Sequence, residues 1–120
     1  MKKFYYNGKL VRTSKTHDYK YAIAYTDDSK ILSCHGTYEA AQKEMNKRIT
    51  EQQQTIYNLN NAKKALINGS KYYFVKFGRN EYRTELPYQT VEEFNEKIKT
   101  HEKMIEWYRN NRKIVELQAE

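Results

Sequence analysis

One cysteine, one proline, four glycines and no long apolar run mark this 120-residue chain by what it does without. A lone Cys34 excludes an intrachain disulfide and fits a reducing compartment. With Pro87 as the single proline, little in the chain interrupts a helix. The N-terminus has neither an apolar signal core nor a spanning segment, so the expected setting is cytoplasmic, with no membrane partner. No glycine-rich loop links a strand to a helix, no nucleophile motif occurs, and His17, His35 and His101 lack metal-ligand spacing. The expectation is therefore a protein that is not an enzyme and uses no metal or cofactor. Only 38% of residues are apolar, which leaves a single domain over 1–120 a modest core and makes further burial by self-association favourable.

What the chain has in quantity is tyrosine and positive charge. Twelve tyrosines stand against four Phe and one Trp, each able to cover apolar surface while keeping a hydroxyl for a polar ligand or water. The formal net charge of +7 favours an anionic partner without specifying whether it is a nucleic acid, a phosphorylated small molecule or an acidic protein.

The longest periodic stretch is 37–67. Thr37 offers an N-cap hydroxyl, Glu39 suits the positive end of a helix, and Asn68-Gly69 supplies the left-handed stop. Met45, Ile49, Ile56, Leu59 and Leu66 recur at steps of three, four or seven, with Gln52 and Lys63 at intervening seam positions. Such a helix is about 45 Å long, against a radius of gyration of about 13–14 Å for a domain of this size, so part of the seam is expected to meet a second copy.

Residues 1–36 read as antiparallel strands. Asn7-Gly8 is the pair best suited to a two-residue hairpin turn, and Tyr19–Thr26 and Ile31–Cys34 flank the turn residues Asp27-Asp28-Ser29. After Gly69 a second hairpin is expected over 71–86, with strands Lys71–Phe77 and Tyr82–Leu86 around Gly78-Arg79-Asn80. Thr90-Val91-Glu92-Glu93 has capping-box spacing and opens a predicted helix over 90–118, with a seam at Phe94, Ile98, Ile105, Tyr108 and Val115. Polar His101 and Arg112 interrupt that seam and need partners. The fold class is thus α+β: antiparallel β-hairpins with two long α-helices, a possible ββα repeat, and oligomerisation through the helices.

Two surfaces could carry binding chemistry. In the predicted second helix, Arg109, Arg112 and Lys113 share a face beside Trp107 and Tyr108, so paired guanidinium groups could hold phosphate oxygens while an aromatic ring meets a base. Three cations near a helix C-terminus also interact well with its dipole and can simply be solvated. The second surface is the later hairpin, where Phe74, Phe77 and Tyr82 accompany Arg79 and Arg83. Alternation puts Tyr72, Phe74 and Lys76 on one face and Tyr73, Val75 and Phe77 on the other, leaving one row free to stack on bases. Arg12, with Lys9 and Lys15, adds positive charge to whichever sheet face it joins.

At Tyr6-Asn7-Gly8-Lys9, Arg12-Thr13-Ser14 and His17-Asp18-Tyr19-Lys20-Tyr21-Ala22, followed by the strand-helix layout and the basic end Arg109 to Lys113, the chain resembles small phage proteins of the Thoeris anti-defence family. The resemblance implies a sponge that binds cyclic ADP-ribose isomers and withholds them without cleavage, in a dimer or higher assembly with ligand pockets at the subunit interface. Two alternatives stand beside it. Tyr5 to Met45 can be read as a three-stranded sheet followed by a helix, a DNA-binding module that resembles the arm-binding domains of phage integrases. The third reading is a phage inhibitor that binds a host protein through exposed Tyr and Arg. From Ser70 onward ten basic residues face nine acidic, so a DNA-binding stripe would have to come from the first half.

Overall fold

The computed structural model describes residues 1–120 as an α+β fold with eight strands, all paired antiparallel, and two helices. The elements run β1 (Lys2–Tyr6), β2 (Lys9–Ser14), β3 (Tyr21–Tyr25), β4 (Ile31–His35), α1 (Tyr38–Ile67), β5 (Tyr72–Phe77), β6 (Asn80–Glu85), α2 (Val91–Asn111), β7 (Arg112–Glu116) and β8 (Gln118–Ala119). The order contains ββα twice, as β3-β4-α1 and β5-β6-α2. The chain forms two compact units, one from residues 1–48 with 108–120 and the other from 49–107.

Local chemistry sets most element ends. Asn7 and Gly8 have φ of 51° and 78°, the left-handed pair that a tight hairpin between β1 and β2 requires. Thr37 Oγ1 accepts from the Ala40 N–H at 3.1 Å and caps α1. At the other end Gly69 has φ of 79°, Ser70 N–H donates to the Ala65 carbonyl at 2.9 Å, and Gly69 N–H to the Leu66 carbonyl at 3.0 Å. Those two bonds are the Schellman closure. Thr90 Oγ1 accepts from the Glu93 N–H at 3.2 Å and donates to the Glu93 carboxylate at 3.0 Å, so the capping pair closes through the side chains.

The first unit holds two three-stranded sheets, ordered β2-β1-β8 and β4-β3-β7. β3 is buried on both faces: Ala22 and Ala24 are fully buried and Ile23 nearly so. On the Ile23 face, Tyr21 meets Tyr38 of α1 edge to face at 5.6 Å, and Arg112 opposite Tyr25 reaches the Met45 carbonyl. On the Ala22 face lies Cys34, whose thiol is pushed up by burial and drawn partly back by the Arg12 guanidinium. We expect iodoacetamide at pH 8 to alkylate Cys34 at least about tenfold more slowly in the folded chain than in urea, because the thiolate is the reacting form. Equal rates by mass spectrometry would mean an open thiol.

Two expectations change here. The predicted helix over 90–118 ends at Asn111, and the chain continues as β7 and β8. Thr26 causes the stop by donating its N–H to the Asn111 carbonyl at 3.0 Å and its hydroxyl to the Asn110 carbonyl at 3.3 Å. Ile114 and Val115 then lie opposite Ile23 and Ala22, where β-branched side chains suit a strand. The three-stranded sheet read from Tyr5 onward does not form either: β3 joins β4 and β7, and the third strand beside β1 and β2 is β8.

In the second unit, Leu59 and Ala62 of α1 enclose a core with Phe94 and Ile98 of α2, and Ile56, Leu66, Tyr73, Leu86 and Tyr88 pack around it. The two helix seams therefore meet each other. Their polar interruptions meet as well, since His101 Nδ1 donates to Gln52 Oε1 and Lys63 Nζ donates to Asn95 Oδ1 at 2.8 Å. Asn58, which the seam pattern missed, is buried and bonds both main-chain groups of Lys76: its Nδ2 donates to the carbonyl at 3.0 Å, and its Oδ1 accepts from the N–H at 2.9 Å. One edge of the β5–β6 hairpin is thereby closed by a side chain.

Candidate functional site

The residues expected to bind ligand divide between the units. Arg12, Tyr108, Arg109, Arg112 and Lys113 belong to the first, Phe74, Phe77, Tyr82 and Trp107 to the second.

The basic face expected over Arg109, Arg112 and Lys113 is dispersed by the end of α2. Arg109 is exposed in the last helical turn, while Arg112 and Lys113 stand in β7, where alternation sends them to opposite faces. Arg112 is 8% exposed, donates Nη2–H to the Met45 carbonyl at 2.8 Å, and lies 4.5 Å over the Tyr108 ring. Burial pushes its guanidinium below the ordinary range, Tyr108 draws it back up, and the neighbouring Arg48 pushes it down again. Arg112 and Tyr108 thus hold β7 against α1. Trp107 remains 46% exposed on α2. Arg12 lies 4.8 Å over the Tyr19 ring, which also stacks on His17 and meets buried Phe4 edge to face.

The hairpin carries the larger anomaly. Gly78 has φ of 60° and heads a two-residue turn with Arg79, so Phe77 pairs with Asn80 and the register follows: Val75 opposite Tyr82, Phe74 opposite Arg83, Tyr72 opposite Glu85. The sequence reading assigns three residues to this turn, and the difference of one moves every partner in β6. Tyr73 and Val75 face the core. Phe77 and Tyr82 share their face but extend past the core at the turn end, 68% and 52% exposed, so they do not line up with Phe74. The outer row is Tyr72, Phe74 and Lys76 against Glu85, Arg83 and Glu81.

On that outer row the Arg83 guanidinium lies 4.3 Å over the Tyr72 ring, and Phe74 beside it is 57% exposed. Below Tyr72 opens a groove of about 420 Å³ whose walls include Leu66, Ser70, Lys71, Glu85, Leu86 and Gln89. That volume falls within the usual range for small-molecule sites. Ser70 shapes its rim by accepting from the Tyr72 N–H at 3.3 Å and donating to the Tyr72 carbonyl at 2.8 Å.

No protein-family model, curated protein or solved structure matches the chain. What the site can do rests on its own chemistry. A flat aromatic row can stack on a ring, the guanidinium above Tyr72 and the Lys71 ammonium can donate to anionic oxygens, and the groove offers a wall of two leucines. No three His, Cys, Asp or Glu side chains gather as a metal-binding set, and no helix is long and apolar enough to cross a membrane. The pairing of Arg83 with Tyr72 was hidden from sequence reasoning by the turn length. Gly78 followed by a strand beginning at Asn80 was the available signal.

Proposed function

We propose that this chain binds a cyclic ADP-ribose-type signalling nucleotide on the outer face of the β5–β6 hairpin and withholds it without cleaving it, as a phage anti-defence protein. The observation that carries the reading is Tyr72, which lines the 420 Å³ groove, carries the Arg83 guanidinium over its ring and shares its face of the hairpin with exposed Phe74. A purine stacks on the aromatic row, the pyrophosphate meets Arg83 and Lys71, and a ribose lies toward Ser70 and Gln89. The family resemblance noted in the sequence points to the same ligand class. To deplete a micromolar signal the Kd must be about nanomolar, near −12 kcal/mol, which requires the groove to enclose most of the ligand.

The test is calorimetry with a panel of cyclic ADP-ribose isomers at low and moderate salt, followed by recovery of the ligand after heating. One isomer binds at about nanomolar Kd, and the intact molecule is recovered. Phe74→Ala weakens it by about 10–100-fold, the usual worth of one stacked base, and Arg83→Ala by at least as much. Arg109→Ala, which changes no residue of the hairpin or of the groove, leaves the affinity within about twofold. Binding that is lost with Arg109 and indifferent to Phe74 and Arg83 moves the site to the end of α2, and no binding by any isomer ends the proposal.

A further inference from the structure

The two edges of the β5–β6 hairpin are unequal. Asn58 bonds the N–H and carbonyl of Lys76, so these groups point away from β6. Glu81 lies opposite Lys76, and in an antiparallel ladder its own main-chain groups must then point outward from the other edge, together with those of Arg83 and Glu85. The Leu86 N–H donating to the Lys71 carbonyl at 3.2 Å sets the same parity from the far end of the ladder. No strand pairs with β6 on that side, and residues 80–83 and Glu85 are exposed. A six-residue edge of this kind is a template for another strand.

The side chains on the edge choose the strand. We propose that β6 pairs with β6 of a second copy, antiparallel about a two-fold axis at Tyr82, to join two hairpins into a four-stranded sheet. Directly opposed residues share a sheet face, so only registers that shift by two are allowed. With Tyr82 on the axis, Glu81 lies opposite Arg83 of the second copy, Arg83 opposite its Glu81, Asn80 opposite its Thr84, and Arg79 opposite its Glu85. Every charge meets its opposite. An axis at Glu81 sets that carboxylate against itself, and an axis at Arg83 sets Glu81 against Glu85, both like-charge pairs. An axis at Thr84 puts Pro87 opposite Glu81, where the missing N–H breaks the ladder. In the Tyr82-centred register the outward main-chain groups of Glu81 and Arg83 fall in hydrogen-bonded pairs, and the existing Lys76–Glu81 pairing extends into a row of alternating charge across the joined sheets. Tyr82, 52% exposed in the single chain, meets its own copy at the axis. The pairing uses the edge of the hairpin and does not depend on the nucleotide reading of its outer face.

Sedimentation equilibrium of the full chain tests the register. Glu81→Arg and Arg83→Glu, made singly, each place like charges opposite one another at two symmetric positions and weaken the dimer at least about tenfold. The double variant exchanges the charges and restores the dissociation constant to within about threefold. Circular dichroism and the melting curve check that each variant keeps its fold. In a Cys34→Ser background, Tyr82→Cys forms an intermolecular disulfide on air oxidation, because the axis pair is a close, non-hydrogen-bonded one. A chain that is monomeric through the micromolar range, a dimer that neither single variant weakens, a double variant that fails to recover, or a Tyr82→Cys variant that does not cross-link would each overturn the pairing.

Discussion

Phe94→Ala is expected to lower the unfolding free energy of the unit formed by residues 49–107 by about 3–5 kcal/mol, the range for emptying a large aromatic site in a close-packed core. Phe94 is fully buried, meets Tyr88 edge to face at 5.3 Å, and packs with Leu59, Ala62 and Ile98 where the helices meet. Two of those neighbours are small or branched close to the backbone, so the gap cannot collapse onto a long side chain. The loss is a large part of the roughly 5–15 kcal/mol that hold an ordinary domain together. Because the hairpin rests on the same core through Tyr73, the variant should also lose order in β5 and β6. Urea denaturation followed by circular dichroism measures it. A change under about 1 kcal/mol would mean that the core is far looser than described.

The second large effect lies at Arg112, and its sign depends on the replacement. Arg112→Ala removes the bond to the Met45 carbonyl and the cation over Tyr108, and leaves a void between β7 and α1. A loss of about 2–4 kcal/mol is expected, the range for truncating a long buried side chain. Arg112→Met keeps the volume and removes a guanidinium whose Nε is buried with no hydrogen-bond partner. Burial and the Arg48 charge both work against that guanidinium, so the methionine variant should match the native chain to within about 1 kcal/mol or exceed it. If the two variants were equally destabilised, the charge itself would be holding β7 in place. Neither should change nucleotide affinity, in contrast to what the sequence reading of Arg112 as a phosphate ligand implies.

The contrast between these two positions shows which features a sequence can reveal. Phe94 sits in the first turn of a capped helix, one turn before Ile98 on the same face, and everything needed to place it lies within a few turns of chain. The same holds for Asn7-Gly8, Thr37, Gly69 and Thr90, whose roles follow from short-range hydrogen bonds and backbone angles. Arg112 was misread because Tyr108, Arg112 and Val115 continue a helical spacing, and nothing nearby forbids the helix. The decision is made by Thr26 and β3, more than eighty residues earlier, which supply donors for the helix end and an apolar strand to pair with. Non-local pairing overrode local period. The surface proposed to bind was legible in composition, since aromatics and arginines cluster on the second hairpin. Its geometry was not, because the register turns on a single residue in the Gly78-Arg79 turn.

The closing strands have a consequence for the order in which the molecule is made. β7 and β8 border β3 and β1, so both sheets of the first unit wait for residues 112–119 to be synthesised. Residues 49–107 are contiguous and end only five residues before β7 begins. The first unit therefore departs from the usual order on the ribosome, because its early strands β1 to β4 are made first and its sheets are completed last. Until β7 and β8 are made, β1 and β3 each have an unpaired edge, which makes the nascent chain more prone to aggregation than one that carries all eight strands.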